Sequence, residues 1–260
     1  MSDPIPLKMT VATVTYNAAD LLERTLRSVE SQTYPFVEHL IIDGNSTDGT
    51  LALLHHYQER NSQRELPHEI EIISENDNGL YDAMNKALQM ATGDYILFLN
   101  AGDKLHSTET LQKAAALGGE GVGVIYGDTD IVDDAGQFLR KRRLAPPEKL
   151  SWKSFKWGML VCHQAFFASM SIARHQSYNL RYRFSADFDW CVRVMKQANH
   201  RKLALVNLHA IVADYLDGGL TVRNHRKSLW ERFRVMSRHY GLLPTVMLHF
   251  YFLARAFVKK

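Results

Sequence analysis

Cysteine is scarce: Cys162 and Cys191 are the two in 260 residues. Their spacing suits neither a metal site nor a disulfide framework, which fits a reducing compartment. No GxGxxG follows the first apolar run, which argues against a nicotinamide-binding Rossmann domain. Walker A, HExxH and paired CxxC patterns are also missing, so P-loop nucleotide hydrolysis and zinc chemistry have no anchor. There is no internal repeat and no low-complexity segment. The N-terminal MSDPIPLKMT lacks the apolar core of a signal peptide, so the first domain is expected to stay in the cytoplasm.

What is present describes a globular chain. A hydrophobic content of 46% excludes intrinsic disorder, and the length suits one large domain or one domain plus a tail. The formal net charge of +3 hides a split. Residues 223–260 carry nine Lys or Arg against one acid, Glu231, which leaves the remainder at −5. A basic tail on a mildly acidic body points to an anionic surface as the tail's partner.

Apolar periodicity gives the elements. Met9–Tyr16 reads as a first strand, and Asp20 as the N-cap of a helix over Leu21–Ser31. His39–Ile42 is a buried strand ending in Asp43-Gly44-Asn45-Ser46-Thr47-Asp48-Gly49-Thr50, which leads into a helix over Leu51–Glu59. Glu69–Ile73 is a third strand. Leu80, Met84, Ala87, Leu88 and Ala91 recur at helical spacing, so Leu80–Ala91 is an amphipathic helix, with Gly93 as its left-handed stop. Tyr95–Leu99 is a continuous apolar run of the kind a parallel sheet buries on both faces, and it ends in Asn100-Ala101-Gly102-Asp103. This β-α-β-α-β-α-β order with short loops predicts an α/β fold with a doubly wound, mostly parallel sheet.

The second half is less regular. It has a helix from about Thr108 to Leu117, a strand Val124–Tyr126, and a hairpin turn at Asp133-Asp134-Ala135-Gly136. Arg140–Arg143 would lie in or beside the second strand of that hairpin. Residues 146–184 are aromatic-rich and irregular, Asp187–Asn199 reads as a helix, and Leu203–Leu208 as a late strand.

Acids and amides recur where strands end: Asn17, Asp43, Asp48, Asp77, Asn100 and Asp103. In an open α/β sheet ligands bind beyond the carboxyl ends of strands. Hard oxygens in such loops suit Mg²⁺ or Mn²⁺ bridging phosphates.

Taken together, VTYN (14–17), IIDGNSTDGT (41–50), SENDNGLYDAMNKAL (74–88), GDYILFLNAGD (93–103), ADFD (186–189) and GGLT (218–221) resemble a family 2 glycosyltransferase of GT-A fold, colanic-acid-type exopolysaccharide enzymes in particular. The resemblance implies a catalytic domain over 1–221, with a nucleotide-sugar-binding half over 1–105 and an acceptor-side half over 106–221. It implies a nucleotide-diphosphate sugar donor, UDP- or GDP-linked, a divalent cation, and a saccharide acceptor that is lipid-linked. Thr15, Asn17, Asp43, Asp48 and Asp77 match the nucleotide-binding positions. An Asp accepting a base N–H is chemically sensible, while Asp48 is equally explained as a turn former. Tyr81, Asp82, Asn85 and Asn100 match the donor-sugar side.

Asp103 matches the last acid of the metal motif, but Gly102 stands where most relatives carry another acid. Asp187 matches the general base that an inverting transfer needs, with Asp189 as the alternative and Ala186 in place of the usual Glu. His163 and Gln164 lie where relatives place diphosphate or acceptor contacts, although a lone His is commonly structural. Gly218-Gly219 matches a mobile loop.

Rival readings are a non-catalytic saccharide-binding scaffold, kept open by Gly102 and Ala186, and a sugar nucleotidyltransferase. The second lacks the Gly-rich basic loop expected after the first strand. Nucleic acid is not an expected partner, since RKRR is one short run inside a hairpin. In the tail, Leu242–Ala254 is too short to span a bilayer and contains Pro244 and His249. A basic segment followed by an aromatic and aliphatic one fits an interfacial helix on anionic lipid, and also an ordinary C-terminal helix packed on the domain.

Overall fold

A computed structural model of the chain describes residues 6–218 and 224–258. Strands β1 (Met9–Thr15), β2 (Val37–Asp43), β3 (Glu69–Ser74) and β4 (Tyr95–Phe98) are parallel, in spatial order β3-β2-β1-β4. Helices α1 (Ala19–Glu30), α2 (Thr50–Ser62) and α3 (Leu80–Met90) connect them. Every residue of β1, β2 and β4 is buried, as their continuous apolar character requires, whereas edge strand β3 is partly exposed.

The sheet continues through β8 (Phe166–Ser169), antiparallel to both β4 and β6 (Val122–Val132). Next come β9 (Ala204–Leu216), parallel to β6, and the short β5 (Lys104–Leu105) beside β9. Strand β7 (Phe138–Lys141) forms the expected hairpin with β6. The aromatic-rich segment thus holds a strand that its composition did not reveal. Helices α4 (Thr110–Leu117), α5 (Met170–Ala173) and α6 (Ala186–His200) complete the body.

Two expectations need correction. Asp20 lies inside α1 rather than capping it: the cap position is Ala18, which makes no side-chain cap. The first amides go instead to the following loop, Ala18 N–H to Thr50 Oγ1 (3.0 Å) and Ala19 N–H to Asp48 Oδ2 (3.2 Å). Gly93 is not a left-handed stop, because α3 ends at Ala91 in an extended conformation (φ −51°, ψ 128°). Glycine is needed for close approach, since a Cβ there would stand 2.5 Å from Thr10 Oγ1 and 2.8 Å from the Lys8 carbonyl oxygen.

The tail forms α7 (His225–Tyr240) and α8 (Leu242–Val258). Helix α7 packs on the body. Val235 and Met236 are buried, and Tyr240 stacks on Trp152 while donating to its carbonyl (2.7 Å). Glu231 accepts the amides of Arg183 (2.8 Å) and Phe184 (2.7 Å), just ahead of α6. No helix among the described residues is long and apolar enough to cross a membrane.

Candidate functional site

The parallel register puts Thr15, Asp43 and Ser74 side by side at the carboxyl edge of β1, β2 and β3. Asp43 is fully buried. Its carboxylate accepts the Ser46 amide (2.9 Å), the Ser46 hydroxyl (2.5 Å) and the Ser74 hydroxyl (2.6 Å). Asn17, held at φ 45° in the left-handed region that Asn tolerates, accepts the Thr47 amide (2.9 Å) and donates its own to Ser46 Oγ (2.8 Å). The first two strand-end loops are therefore one hydrogen-bonded unit. Asp48 is exposed and bridges the starts of α1 and α2, accepting from Ala19 and from Thr50 (2.9 Å). Those bonds, chiefly from Thr50, hold its carboxyl below the usual range. Asp77 lies across this loop, with Oδ2 packed against Gly44 and Oδ1 accepting the Gly79 amide (2.7 Å). Thr15 keeps a buried hydroxyl with no partner among the described residues.

One strand over, Asp103 is buried in the loop after β4, immediately before β5. Its Oδ1 accepts the Leu216 amide of β9 (2.9 Å), and its Oδ2 accepts Nε2 of Gln164 (3.0 Å). Burial pushes its carboxyl up to about 7 against the pull of those two donors and the charge of Arg24. Asn100 Oδ1 is buried beside it without a partner, and the Asn100 carbonyl accepts the Asp103 amide (3.0 Å). Gly102 sits at φ +97°, and a Cβ there would meet Leu216 Cδ2 at 2.9 Å. Any side chain would be strained at this position, which is the physical reason for glycine where an acid was expected.

Asp187 opens the first turn of α6, half-buried. Its Oδ1 accepts Tyr81 O–H (3.2 Å) and the Phe188 amide (2.8 Å), while Oδ2 receives no hydrogen bond among the described residues. Asp189 is otherwise engaged: it is buried and pairs with Arg193 Nε and His239 Nε2, each at 2.7 Å. Tyr81 stacks on Tyr178, and Tyr178 stacks on Trp190. His163 belongs to the same aromatic cluster, over Phe98 and 2.6 Å from Tyr178 Oη. Burial lowers its pKa to about 4, partly opposed by Asp187, so it is a neutral structural histidine near pH 7.

Three other expected contacts are engaged within the protein. Asn85 has both amide ends on the Tyr178 backbone (2.6 and 3.1 Å), Asp82 accepts the Asn78 amide (2.9 Å) just ahead of α3, and Gln164 holds Asp103. Gly218 is described, but Gly219, Leu220 and Thr221 of the expected mobile loop lie outside the described residues. Sequence reasoning missed Ser46, Ser74, Tyr178 and Glu231. Ser46 and Ser74 had a signal, inside the 41–50 and 74–88 motifs.

The family model for glycosyl transferase family 2 matches residues 10–175. The chain belongs to that family. A PGL/p-HBAD biosynthesis glycosyltransferase of Mycobacterium bovis (strain BCG / Pasteur 1173P2) is 32% identical over 238 residues, covering 90% of this chain and 86% of the relative. A putative teichuronic acid biosynthesis glycosyltransferase of Bacillus subtilis (strain 168), TuaG, is 38% identical over 96 residues, or 37% of this chain and 36% of its own length. Among solved structures, S. aureus TarS 1–349 in complex with UDP-GlcNAc superposes with a TM-score of 0.69 at 18% identity, covering 95% of this chain and 73% of that one. The mannosyltransferase PcManGT of Pyrobaculum calidifontis, in complex with GDP-Man and Mn²⁺, gives 0.64 at 17% identity over 94% and 70%. At such identities these structures establish the GT-A fold alone, and the family match makes the chain a glycosyltransferase.

The donor set of this family 2 enzyme fits a hard dication. Asp103 and Asn100 Oδ1, the latter without a partner among the described residues, offer hard oxygen atoms, and a cation of this kind takes few protein ligands with phosphates and water completing its sphere. A second set of ligand atoms, on His106, Asp130 and Asp214, gathers at β5, β6 and β9. There Asp214 is already paired with Lys104 (3.0 Å) and His106 (2.6 Å), so an incoming dication would meet an ammonium.

Proposed function

We propose that this family 2 glycosyltransferase moves a sugar, with inversion, from a nucleotide-diphosphate sugar to a hydroxyl of a saccharide acceptor. The observation that carries the reading is Asp187. One carboxylate oxygen is braced by Tyr81 and a backbone amide while the other is left open. In the step proposed, the acceptor oxygen attacks the anomeric carbon from the face opposite the diphosphate. Its proton passes to Asp187 Oδ2, and the electron pair of the breaking C–O bond leaves on the diphosphate.

Asp43, Asn17 and Thr15, with Asp48 and Asp77 bordering them, form the nucleotide side. Tyr81 and Asn100 line the sugar side, with Asp82 and Asn85 setting the α3 and Tyr178 walls behind it. Asp103 and Asn100 would hold a Mg²⁺ or Mn²⁺, which when bound supplies charge stabilisation to the leaving diphosphate. The UDP-GlcNAc and GDP-Man complexes of the structural neighbours make UDP and GDP the nucleotides to test.

Residues 1–221 act as the catalytic unit in this reading, 1–105 holding the donor and 106–221 facing the acceptor. The relatives in PGL/p-HBAD and teichuronic acid biosynthesis favour an acceptor in cell-surface glycan or exopolysaccharide synthesis. A lipid-linked acceptor at the cytoplasmic membrane face suits the tail. Leu242, Leu243, Met247, Phe250 and Tyr251 of α8 are exposed, as are Arg226 and Lys227 of α7, a composition that suits an interfacial helix pair on anionic lipid.

The test is Asp187→Asn, followed by nucleotide release from UDP- and GDP-sugars in the presence of bacterial lipid extract. Transfer should fall by roughly 10²- to 10⁴-fold with nucleotide binding kept. Transfer at the wild-type rate would remove Asp187 as the base.

A further inference from the structure

Arg232 lies on α7, well outside residues 10–175 that the family model matches. Its guanidinium carbon sits 5.2 Å from the centre of the Phe188 ring, in the first turn of α6 beside Asp187. Although the side chain keeps some exposure, its Nε is buried and has no hydrogen-bond partner. Among the described residues no carboxylate pairs with it and no carbonyl accepts from it.

This is an unusual state for a guanidinium. A buried cation is expected to be paired or fully hydrogen-bonded, and stacking on an aromatic face leaves its in-plane N–H donors unsatisfied. Burial lowers its pKa, opposed chiefly by Asp187 and Tyr81, and the stacking on Phe188 sets the group against the residue next to Asp187.

Among the described residues the neighbouring groups are engaged elsewhere. Asp187 Oδ1 already accepts from Tyr81 and Phe188. Glu231 is committed to the amides of Arg183 and Phe184. Arg142, the other cation acting on Arg232, donates to the carbonyls of Met159 (2.9 Å), Leu160 (3.4 Å) and Leu144 (3.5 Å), so it has structural work of its own. Helix α7 is meanwhile fixed to α6 through His239–Asp189 and to the loop before α6 through Glu231. The backbone carrying Arg232 is therefore anchored at both sides of it, and the guanidinium is presented rather than trailing.

A preorganised planar fork with free donors matches phosphoryl oxygens. We infer that Arg232 is a phosphate-binding side chain of the transfer site, contacting either the diphosphate of the donor or a phosphate borne by the acceptor. The inference rests on the glycosyltransferase site proposed above. It gives α7 a part in the reaction as well as in attachment, since negative charge developing on departing phosphate would meet a cation already in place.

Calorimetry on the full chain with Mn²⁺ tests it, using wild type, Arg232→Gln and Arg232→Lys. Each is titrated with UDP and GDP, with uridine and guanosine, and with inorganic pyrophosphate after saturation by the nucleotide that binds. A donor-side role predicts that Arg232→Gln weakens the nucleoside diphosphate by roughly ten- to hundred-fold while leaving the nucleoside unchanged, with partial recovery in Arg232→Lys. An acceptor-side role predicts unchanged nucleotide affinity but loss of the pyrophosphate heat in the nucleotide-saturated variant. A structural role predicts a lowered melting temperature with all these affinities intact, and that result overturns the inference. Failure of the wild type itself to bind UDP or GDP would overturn the proposed function and this inference with it, whereas failure of Arg232 alone appears only in the variants.

Discussion

Asp103 carries the most consequential titration near the strand ends. Its ordinary value of 3.8 rises to about 7 on burial. Between roughly pH 4 and pH 7 the folded protein holds a proton that the unfolded chain has released. This group's contribution to stability is thus complete below pH 4 and lost as pH rises through 7, amounting to at most about 4 kcal/mol. Asp103→Asn should abolish that term. In urea unfolding with EDTA, wild type should lose stability relative to the variant between pH 5 and pH 8, and parallel curves would contradict the burial account. Asp43, Asp103 and Asp187 were legible as candidates because an acid at a strand or helix end stands out in the sequence. Asn85 was not legible in its actual role. The Tyr178 peptide that occupies its amide lies 93 residues further on, and no local pattern announces it. Gly102 was visible as a departure, but its cause, Leu216 of β9, was not.

At the scale of elements, the parallel half of the sheet was readable because β1, β2 and β4 are continuous apolar runs separated by amphipathic helices. Strand β8 escaped notice because four residues among many aromatics carry no period, and its antiparallel place between β4 and β6 is set by long-range pairing. The late strand was seen only over 203–208. Its continuation to Leu216, which supplies the Asp103 contact, follows from pairing with the equally long β6. The α6–α7 junction yields a prediction of its own. Burial by itself would raise the Asp189 carboxyl, but the His239 hydrogen bond and Arg193 outweigh it and hold the carboxyl below its usual range. Removing His239 leaves Asp189 Oδ1 buried without its hydrogen bond, while Arg193 still holds Oδ2. His239→Ala should therefore cost about 1–3 kcal/mol and increase amide hydrogen exchange in α7. Wild-type exchange in α7 would show that the pair does not hold the helix.

Across the whole molecule, the basic character of the tail falls mainly on α7, which carries Arg226, Lys227, Arg232, Arg234 and Arg238. Helix α7 packs on α6, and the exposed apolar face of α8 is what the proposed membrane attachment rests on. Binding to anionic vesicles should weaken with salt, as surface electrostatics require. Leu243→Ser, Met247→Ser and Phe250→Ser together should reduce co-sedimentation several-fold while leaving the melting temperature unchanged, because these side chains are exposed. Equal binding to neutral and anionic vesicles would contradict the electrostatic part of that proposal.

The central claim is a sugar-nucleotide site at the carboxyl edge of the parallel strands with Asp103 as its cation ligand. The most direct measurement is calorimetric titration of UDP and GDP into the protein with Mn²⁺, with EDTA, and into Asp103→Ala. The account predicts that one nucleotide binds in the presence of Mn²⁺, and that chelation and the substitution each weaken it. Binding of neither nucleotide to folded wild-type protein would contradict the site itself. Binding indifferent to EDTA and to Asp103→Ala would contradict the role given to Asp103.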